Sequence, residues 1–220
     1  MKIAVLGATG NIGSHLVTAA LDAGHQVVAY VRRPDAVERR AGLTVVMGEL
    51  DDEVGLARAF TGADAVVSTI GVPMRAKKPI DLMQRSLPVI TRAAAKAGVD
   101  RLVVVSAFGV GDTAAKASPF ARLIYRTLVA KIFKDKELSE KVLPESGLNW
   151  TTVYPVNLKD APAKPTSAIK NLAEVGSVPG LPTLPFDNAA AALLKITGDR
   201  SLSGQRVLVT TQKGWKPKRG

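Results

Sequence analysis

The segment Gly7-Ala8-Thr9-Gly10-Asn11-Ile12-Gly13 carries the most chemistry in its spacing. It lies between a short apolar run and an amphipathic one, the setting in which a tight turn presents backbone N–H groups and a helix N-terminus to an anion. Side chains larger than hydrogen would block that approach, and the ligand that suits it is the pyrophosphate of a dinucleotide. The second apolar run ends in Tyr30-Val31-Arg32-Arg33-Pro34. An NAD-binding chain would place Asp or Glu there, against the ribose 2′-hydroxyl. Arg32 and Arg33 instead offer planar guanidinium forks to a 2′-phosphate, so NADP(H) is the expected cofactor.

These residues need a parallel sheet to hold them, and the chain reads as one. Strand-like and helical patterns alternate from the first residue, which predicts an α/β fold of the Rossmann type: a doubly wound parallel sheet covered by helices on both faces. Strands are expected at Ile3–Leu6, Val27–Val31, Leu43–Met47, Ala65–Ile70, Leu102–Ser106, Trp150–Tyr154 and Arg206–Thr210. The first helix carries Ile12, Leu16, Val17, Ala20 and Leu21 at helical spacing and stops at Gly24. Further helices are expected from about Asp52 to Phe60, entered through Asp51, and from Asp81 to Ala97, with a kink at Pro88. Pro119–Phe133 and Lys136–Glu145 read as helical, and Asp187 as the cap of a last helix through Ile196. Residues 155–186 are proline-rich, with Pro179, Pro182 and Pro185 at three-residue spacing. They are expected to form a loop-rich cap on a single 1–220 domain, with 211–220 as a basic tail.

The chain has 220 residues, of which 46% are hydrophobic and 22% charged, enough for one globular core. Cys is absent, which excludes thiol nucleophiles, thiolate metal sites and disulfides. His15 and His25 are too far apart for a two-histidine helical metal site, and Asp51-Asp52-Glu53 complements a helix dipole, so no metal is expected. No stretch reaches membrane-spanning length and no signal-peptide core precedes the first strand, so a cytoplasmic protein off the membrane is expected. The formal charge of +11 favours an anionic partner. Its densest runs, Arg75–Arg101, Lys116–Lys141 and the tail around Trp215, read as solvated surface. Aromatic residues are only 5% of the chain, so the basic runs, Lys77 and Lys78 included, lack the stacking groups of a nucleic-acid surface.

The opening GATGNIG, the turn VRRP, the strand and loop Val103 to Phe108, and the stretch Lys141 to Leu148 resemble the atypical short-chain dehydrogenases with NmrA-like NAD(P)-binding domains, flavin- and biliverdin-reducing members among them. The resemblance covers about residues 1–200. It implies that Arg32 grips the 2′-phosphate, while a second family arginine is replaced by Ala36. It also implies that Glu49 and Leu50 lie by the adenine, that Thr69, Ile70 and Gly71 pass along the cofactor, and that Ser106, Ala107 and Phe108 lie near the nicotinamide. Tyr154 and Pro155 complete the implied cofactor contacts. Ser106 is the implied catalytic residue.

Ketone-reducing members of the wider group use Tyr with Lys four residues later as a proton donor. Here Tyr30, Tyr125 and Tyr154 are followed at that spacing by Pro34, Val129 and Leu158. Hydride transfer to a simple ketone without a positioned acid forfeits typically 10²- to 10⁴-fold in rate. The expected activity is therefore NADPH-dependent reduction of a flavin, quinone or similar conjugated acceptor. The alternative is a non-enzymatic NADP(H)-sensing regulator of the NmrA-like kind, with a protein partner.

Overall fold

Ile3 and Val5 bury themselves on one side of the first strand and Ala4 and Leu6 on the other, so this strand needs a covering layer on each face. The computed structural model, which describes residues 1–72 and 80–218, supplies both layers. The strands are β1 (Lys2–Leu6), β2 (Gln26–Val31), β3 (Leu43–Met47), β4 (Ala65–Ser68), β5 (Arg101–Val105), β6 (Asn149–Pro155), β7 (Asn157–Lys159), β8 (Ser167–Asn171), β9 (Val175–Ser177), β10 (Thr183–Pro185), β11 (Gln205–Thr211) and β12 (Lys216–Pro217). The helices are α1 (Asn11–Asp22), α2 (Glu53–Phe60), α3 (Leu82–Lys96), α4 (Pro119–Thr127), α5 (Ala130–Glu140) and α6 (Phe186–Gly198).

The main sheet runs β3-β2-β1-β4-β5-β6-β11-β8, parallel throughout except for the edge strand β8. This is the doubly wound order of the Rossmann fold, with its switch point between β1 and β4. Leu16 and Ala20 of α1 and Leu193 and Ile196 of α6 pack on the face of Ile3 and Val5. Leu56 and Phe60 of α2, with Met83, Leu87 and Ile90 of α3, cover Ala4 and Leu6. Gly24 ends the first helical segment with φ of 77°, a left-handed conformation that glycine adopts without strain.

Several sequence expectations shift. The N-cap of α2 is Asp52, whose carboxylate accepts from Gly55 N at 2.9 Å; Asp51 lies one residue too early. β4 ends at Ser68, which leaves Thr69 and Ile70 in the loop beyond it. α3 continues through Pro88. The α4–α5 boundary falls at Leu128 and Val129, so the second helix begins earlier than the pattern suggests. Pro185 precedes α6, and Asp187 stands inside its first turn, where it pairs with His15 Nδ1 at 2.6 Å instead of capping. His15 also stacks on Phe186 and is not merely solvated.

The proline-rich segment is more ordered than a loop. It contributes β8 to the main sheet and β7 and β10 to a small parallel pair. Within the C-terminal tail β12 pairs with β9, and Lys170 Nζ lies 4.8 Å from the Trp215 ring centroid.

Two basic residues read as surface are interior. The fully buried Arg101 guanidinium donates to Ile196 O at 2.6 Å, to Thr197 O, and to Thr151 Oγ1 at 2.7 Å, satisfying carbonyls at the C-terminal end of α6. Lys136 is buried on α5. Arg75, Lys77, Lys78 and Arg219 lie outside the described residues.

Candidate active site

The glycine turn closes because three segments meet in less space than a methyl group needs. Gly10 N donates to Gly7 O at 2.9 Å, and Thr69 Oγ1 donates to Leu6 O at 2.8 Å, which locks the loop after β4 onto the end of β1. A Cβ on Gly13 would stand 2.1 Å from Gly7 O, and Gly7 itself has φ of 80°. Gly10 is the N-cap of α1 and has no side chain to satisfy the first helical amides. Those N–H groups, from Asn11 to Gly13, lack carbonyl partners by the geometry of a helix start. The turn is thus a donor-rich cradle of the kind a pyrophosphate fills.

Above it opens a cavity of about 400 Å³ lined by Gly7, Thr9, Gly10, Arg32, Glu49, Leu50, Thr69, Ile70 and Gly71 among the predicted residues. Tyr30, Asp51, Leu82, Arg85 and Ser86 also line it. The cavity lies at the carboxyl ends of β1, β2 and β4, across the switch point, where ligands of doubly wound sheets bind. Of the paired arginines, Arg32 borders it and Arg33 does not. Tyr30 OH donates to Glu49 O at 3.1 Å and so fixes the loop that carries Glu49 and Leu50.

Asn11, Ile12 and Gly13 form the helix start behind the cavity wall. Ala107, Phe108, Tyr154 and Pro155 stand apart from the cavity lining. Phe108 is buried, and its N–H donates to Pro155 O at 2.9 Å. Ser106, just past β5, is also nearly buried and turns its hydroxyl away toward α5.

That hydroxyl leads to Glu140, Arg206 and Lys136, three side chains that the sequence reading did not place at the site. Ser106 Oγ donates to Glu140 Oε1, and Tyr154 OH donates to Glu140 Oε2 at 2.5 Å. Arg206 Nε donates in turn to Tyr154 OH at 3.0 Å, while its other nitrogens hold Asp112. One turn earlier on α5, Lys136 Nζ lies 2.9 Å from Val105 O and 3.5 Å from Ile70 O, bridging the ends of β5 and β4 beside the cavity. Asp135 anchors this helix by accepting from Met83 N at 3.0 Å and Gln84 N at 3.1 Å at the start of α3.

Burial shapes the chemistry of the cluster. Desolvation lowers Lys136 to about 8, against opposition from Glu140 and Asp135. Desolvation also raises Glu140, although the hydrogen bonds from Ser106 and Tyr154 and the charges of Lys136 and Arg206 favour its ionised form. Burial and the adjacent Glu140 push the Tyr154 phenol up, so it serves as a neutral donor. Lys136 and Glu140 share one helix face at i, i+4 spacing, which was the one signal available in the sequence.

Residues 7–197 match the NAD(P)H-binding family. The chain belongs to that family. The oxidoreductase ylbE of Lactococcus lactis has the same fold, with a TM-score of 0.81 and 19% identity over 98% of this chain and 93% of that one. The anaerobilin reductase ChuY of Escherichia coli O157:H7 superposes with a TM-score of 0.78 and 22% identity, covering 97% of this chain and 98% of the other. A short-chain dehydrogenase/reductase of Veillonella parvula, solved in complex with NADP, gives 0.76 and 18% over 100% and 98%. In sequence, the photosystem II assembly factor Ycf39 of Cyanophora paradoxa is 30% identical over 69% of this chain, which spans only 44% of that relative. The NAD(P)H-binding chain thus has the Rossmann-type fold that its motifs imply. Among the described residues no cluster of three or more metal-ligating side chains occurs, and no helix is long and apolar enough to cross a membrane.

Proposed function

We propose that this protein is an NADPH-dependent reductase of a conjugated acceptor of the flavin or quinone class. The observation that carries the proposal is the shared lining of one cavity by the glycine turn and Arg32, with no carboxylate at the end of β2. The amides of Asn11, Ile12 and Gly13 hold the pyrophosphate, Arg32 holds the 2′-phosphate, and the loop of Glu49 and Leu50 borders the adenine. Thr69, Ile70 and Gly71 lead the cofactor toward the ends of β4 and β5. Bound there, NADPH supplies a hydride and the acceptor takes its two electrons.

Lys136 Nζ reaches the carbonyls of Ile70, on the cavity wall, and of Val105, which supports a reacting end beside this helix. The absence of a Tyr with Lys four residues later supports an acceptor whose reduced form is already delocalised. The anaerobilin reductase that shares this fold is, by name, also a reductase.

The test is NADPH oxidation against a panel of FMN, naphthoquinone and aliphatic ketones, alongside NADPH binding by fluorescence. Reduction of the conjugated acceptors alone is expected. Tight NADPH binding with no turnover of any acceptor would replace this reading with that of an NADP(H)-sensing protein.

A further inference from the structure

We propose that α4 seats this protein on an anionic lipid surface: Phe120, Leu123 and Leu128 enter the headgroup layer, and Arg122, Arg126 and Lys131 meet the lipid phosphates around them. The face concerned is not part of the cavity lining, so the proposal stands whether or not the protein is a reductase.

α4 is the most strongly amphipathic of the described helices, yet Ala121 is its only buried residue. Ile124 and Tyr125 are half-buried, and Tyr125 packs on Phe133 of α5 with ring centroids 5.3 Å apart. The remaining apolar side chains face solvent: Phe120 is 64% exposed, Leu123 61%, and Leu128, at the C-cap, 67%. Exposed apolar side chains scattered singly are ordinary on a protein surface. Here three of the six large hydrophobic side chains exposed among the described residues fall within residues 120–128. The helix that presents them is anchored at its start, where Ser118 Oγ accepts from Ala121 N at 3.2 Å and donates to Gly180 O at 2.8 Å.

The charge around this apolar strip has one sign. Arg122 and Arg126 are exposed one helical turn apart, and Lys131 is exposed at the start of α5. Like charges at i, i+4 repel, and the chain has no acidic residue between Asp112 and Asp135 to relieve them. Lys134 pairs with Glu137, and Lys116 donates to Val175 O. Arg122, Arg126 and Lys131 have no ion pair among the described residues. Segments 73–79 and 219–220, outside the described residues, contain no Asp or Glu. An exposed apolar strip flanked by cations is the pattern of a helix that lies in a membrane interface, where headgroup phosphates neutralise guanidinium groups. No described helix is long and apolar enough to cross a bilayer, so the attachment is peripheral.

A second copy of the chain fits this face less well. A two-fold contact through α4 would bring the unpaired arginines of both copies to one interface, and like-charge juxtaposition opposes association. α4 has nine residues and so spans roughly 14 Å. Its three exposed apolar side chains fall short of the roughly 800 Å² that each partner contributes to a stable protein interface. An interfacial helix needs only its own apolar strip and its neighbouring cations.

The test is co-sedimentation of the whole protein with vesicles of phosphatidylcholine alone or mixed equally with phosphatidylglycerol. Binding to the mixed vesicles alone is expected, weakening as salt is raised. Arg122→Gln with Arg126→Gln should lower partitioning about twenty-five-fold, at roughly fivefold for each charge near an anionic surface. Phe120→Ser with Leu123→Ser should lower it about tenfold or more. All four positions are exposed, so Tm and NADPH affinity should hold in both variants. Lys213→Gln with Lys216→Gln, in the exposed tail, should change partitioning far less. Because the chain has no Cys, Leu123→Cys and Lys213→Cys each take one nitrobenzoxadiazole label, and only the label at 123 should shift to the blue on vesicles.

Equal losses from the tail and α4 charge pairs would reduce the attraction to the diffuse net charge and overturn the proposal. A label at 123 that stays in water overturns it as well. Concentration-dependent dimerisation in sedimentation velocity, abolished by Phe120→Ser with Leu123→Ser and unaccompanied by vesicle binding, would give the face to a second copy instead. A face that binds neither vesicles nor itself also refutes the lipid assignment.

Discussion

Replacing Gly13 and Gly10 separately should divide the glycine turn into a packing element and a binding element. A methyl on Gly13 would lie 2.1 Å from Gly7 O, 2.7 Å from Thr69 Oγ1 and 2.8 Å from Gly7 C. Two of these are backbone atoms already engaged: Gly7 O accepts from Gly10 N at 2.9 Å. Relief requires α1 and the end of β1 to separate by about 1 Å, and such overpacking costs about 3 kcal/mol or more at a site that cannot flex. For a domain of this size that is a fall in Tm of roughly 6–12 °C. A Cβ on Gly10 instead meets only Gly7 O, at 3.2 Å, and its φ of −81° suits any residue. Gly10→Val should therefore fold with at most about 1 kcal/mol lost as a poorer N-cap. It fills the approach to the α1 amides, and losing even one charge-assisted contact there costs about 1.5–3 kcal/mol, a tenfold or greater drop in NADPH affinity. Thermal unfolding and NADPH fluorescence titration read the two effects. Native-strength NADPH binding by Gly10→Val would place the phosphates elsewhere, and a native Tm for Gly13→Ala would refute the packing argument.

Arg32→Ala should erase most of the preference for NADPH over NADH, a factor of about 10 to 100, while Arg33→Ala leaves it intact because Arg33 does not border the cavity; comparative titration of the two cofactors checks both. Lys136 titrates near 8 instead of 10.5, so the folded chain binds fewer protons than the unfolded chain between those values. Stability should therefore rise with pH across that interval, by about 3 kcal/mol from this group, and be lost as pH falls through about 8. Lys136→Met should abolish that rise, as measured by denaturant unfolding at pH 7.5 and 10. Arg101→Met should destabilise by about 3 kcal/mol or more without altering NADPH affinity, since its fully buried guanidinium holds carbonyls of α6 far from the cavity; a Tm within 2 °C of native would contradict that.

The cofactor half of the site was legible because its parts are local. A phosphate cradle needs a strand, a turn of glycines and a helix in unbroken succession, so Gly7 to Gly13 announce it within one stretch, and Arg32 follows at the end of the next strand. The same locality explains why β1 to β5 fell within a residue or two of their expected bounds: β1, β2, β4 and β5 are runs largely buried on both faces, and the edge strand β3, though half-exposed, keeps a β-branched run between turn residues. The grouping of Ser106 and Tyr154 with Glu140 and Arg206 was not legible, because these residues come from a loop, two strands and a helix spread over a hundred residues and meet only through the β5-β6-β11 order. Nothing in the local sequence distinguishes Glu140 and Arg206 from surface charge; Lys136 sits inside a basic run and Arg101 at the edge of another. A search for Tyr with Lys four residues later looks for one helix doing the whole task. Here a helical carboxyl receives one hydroxyl partner from β6 and one from the residue after β5, a cluster that such a search does not detect. The sheet order decides the matter: β6 lies beside β5 and carries Tyr154 to the same carboxyl that Ser106 reaches from the end of β5. The cluster is assembled by topology, and chain spacing could not reveal it.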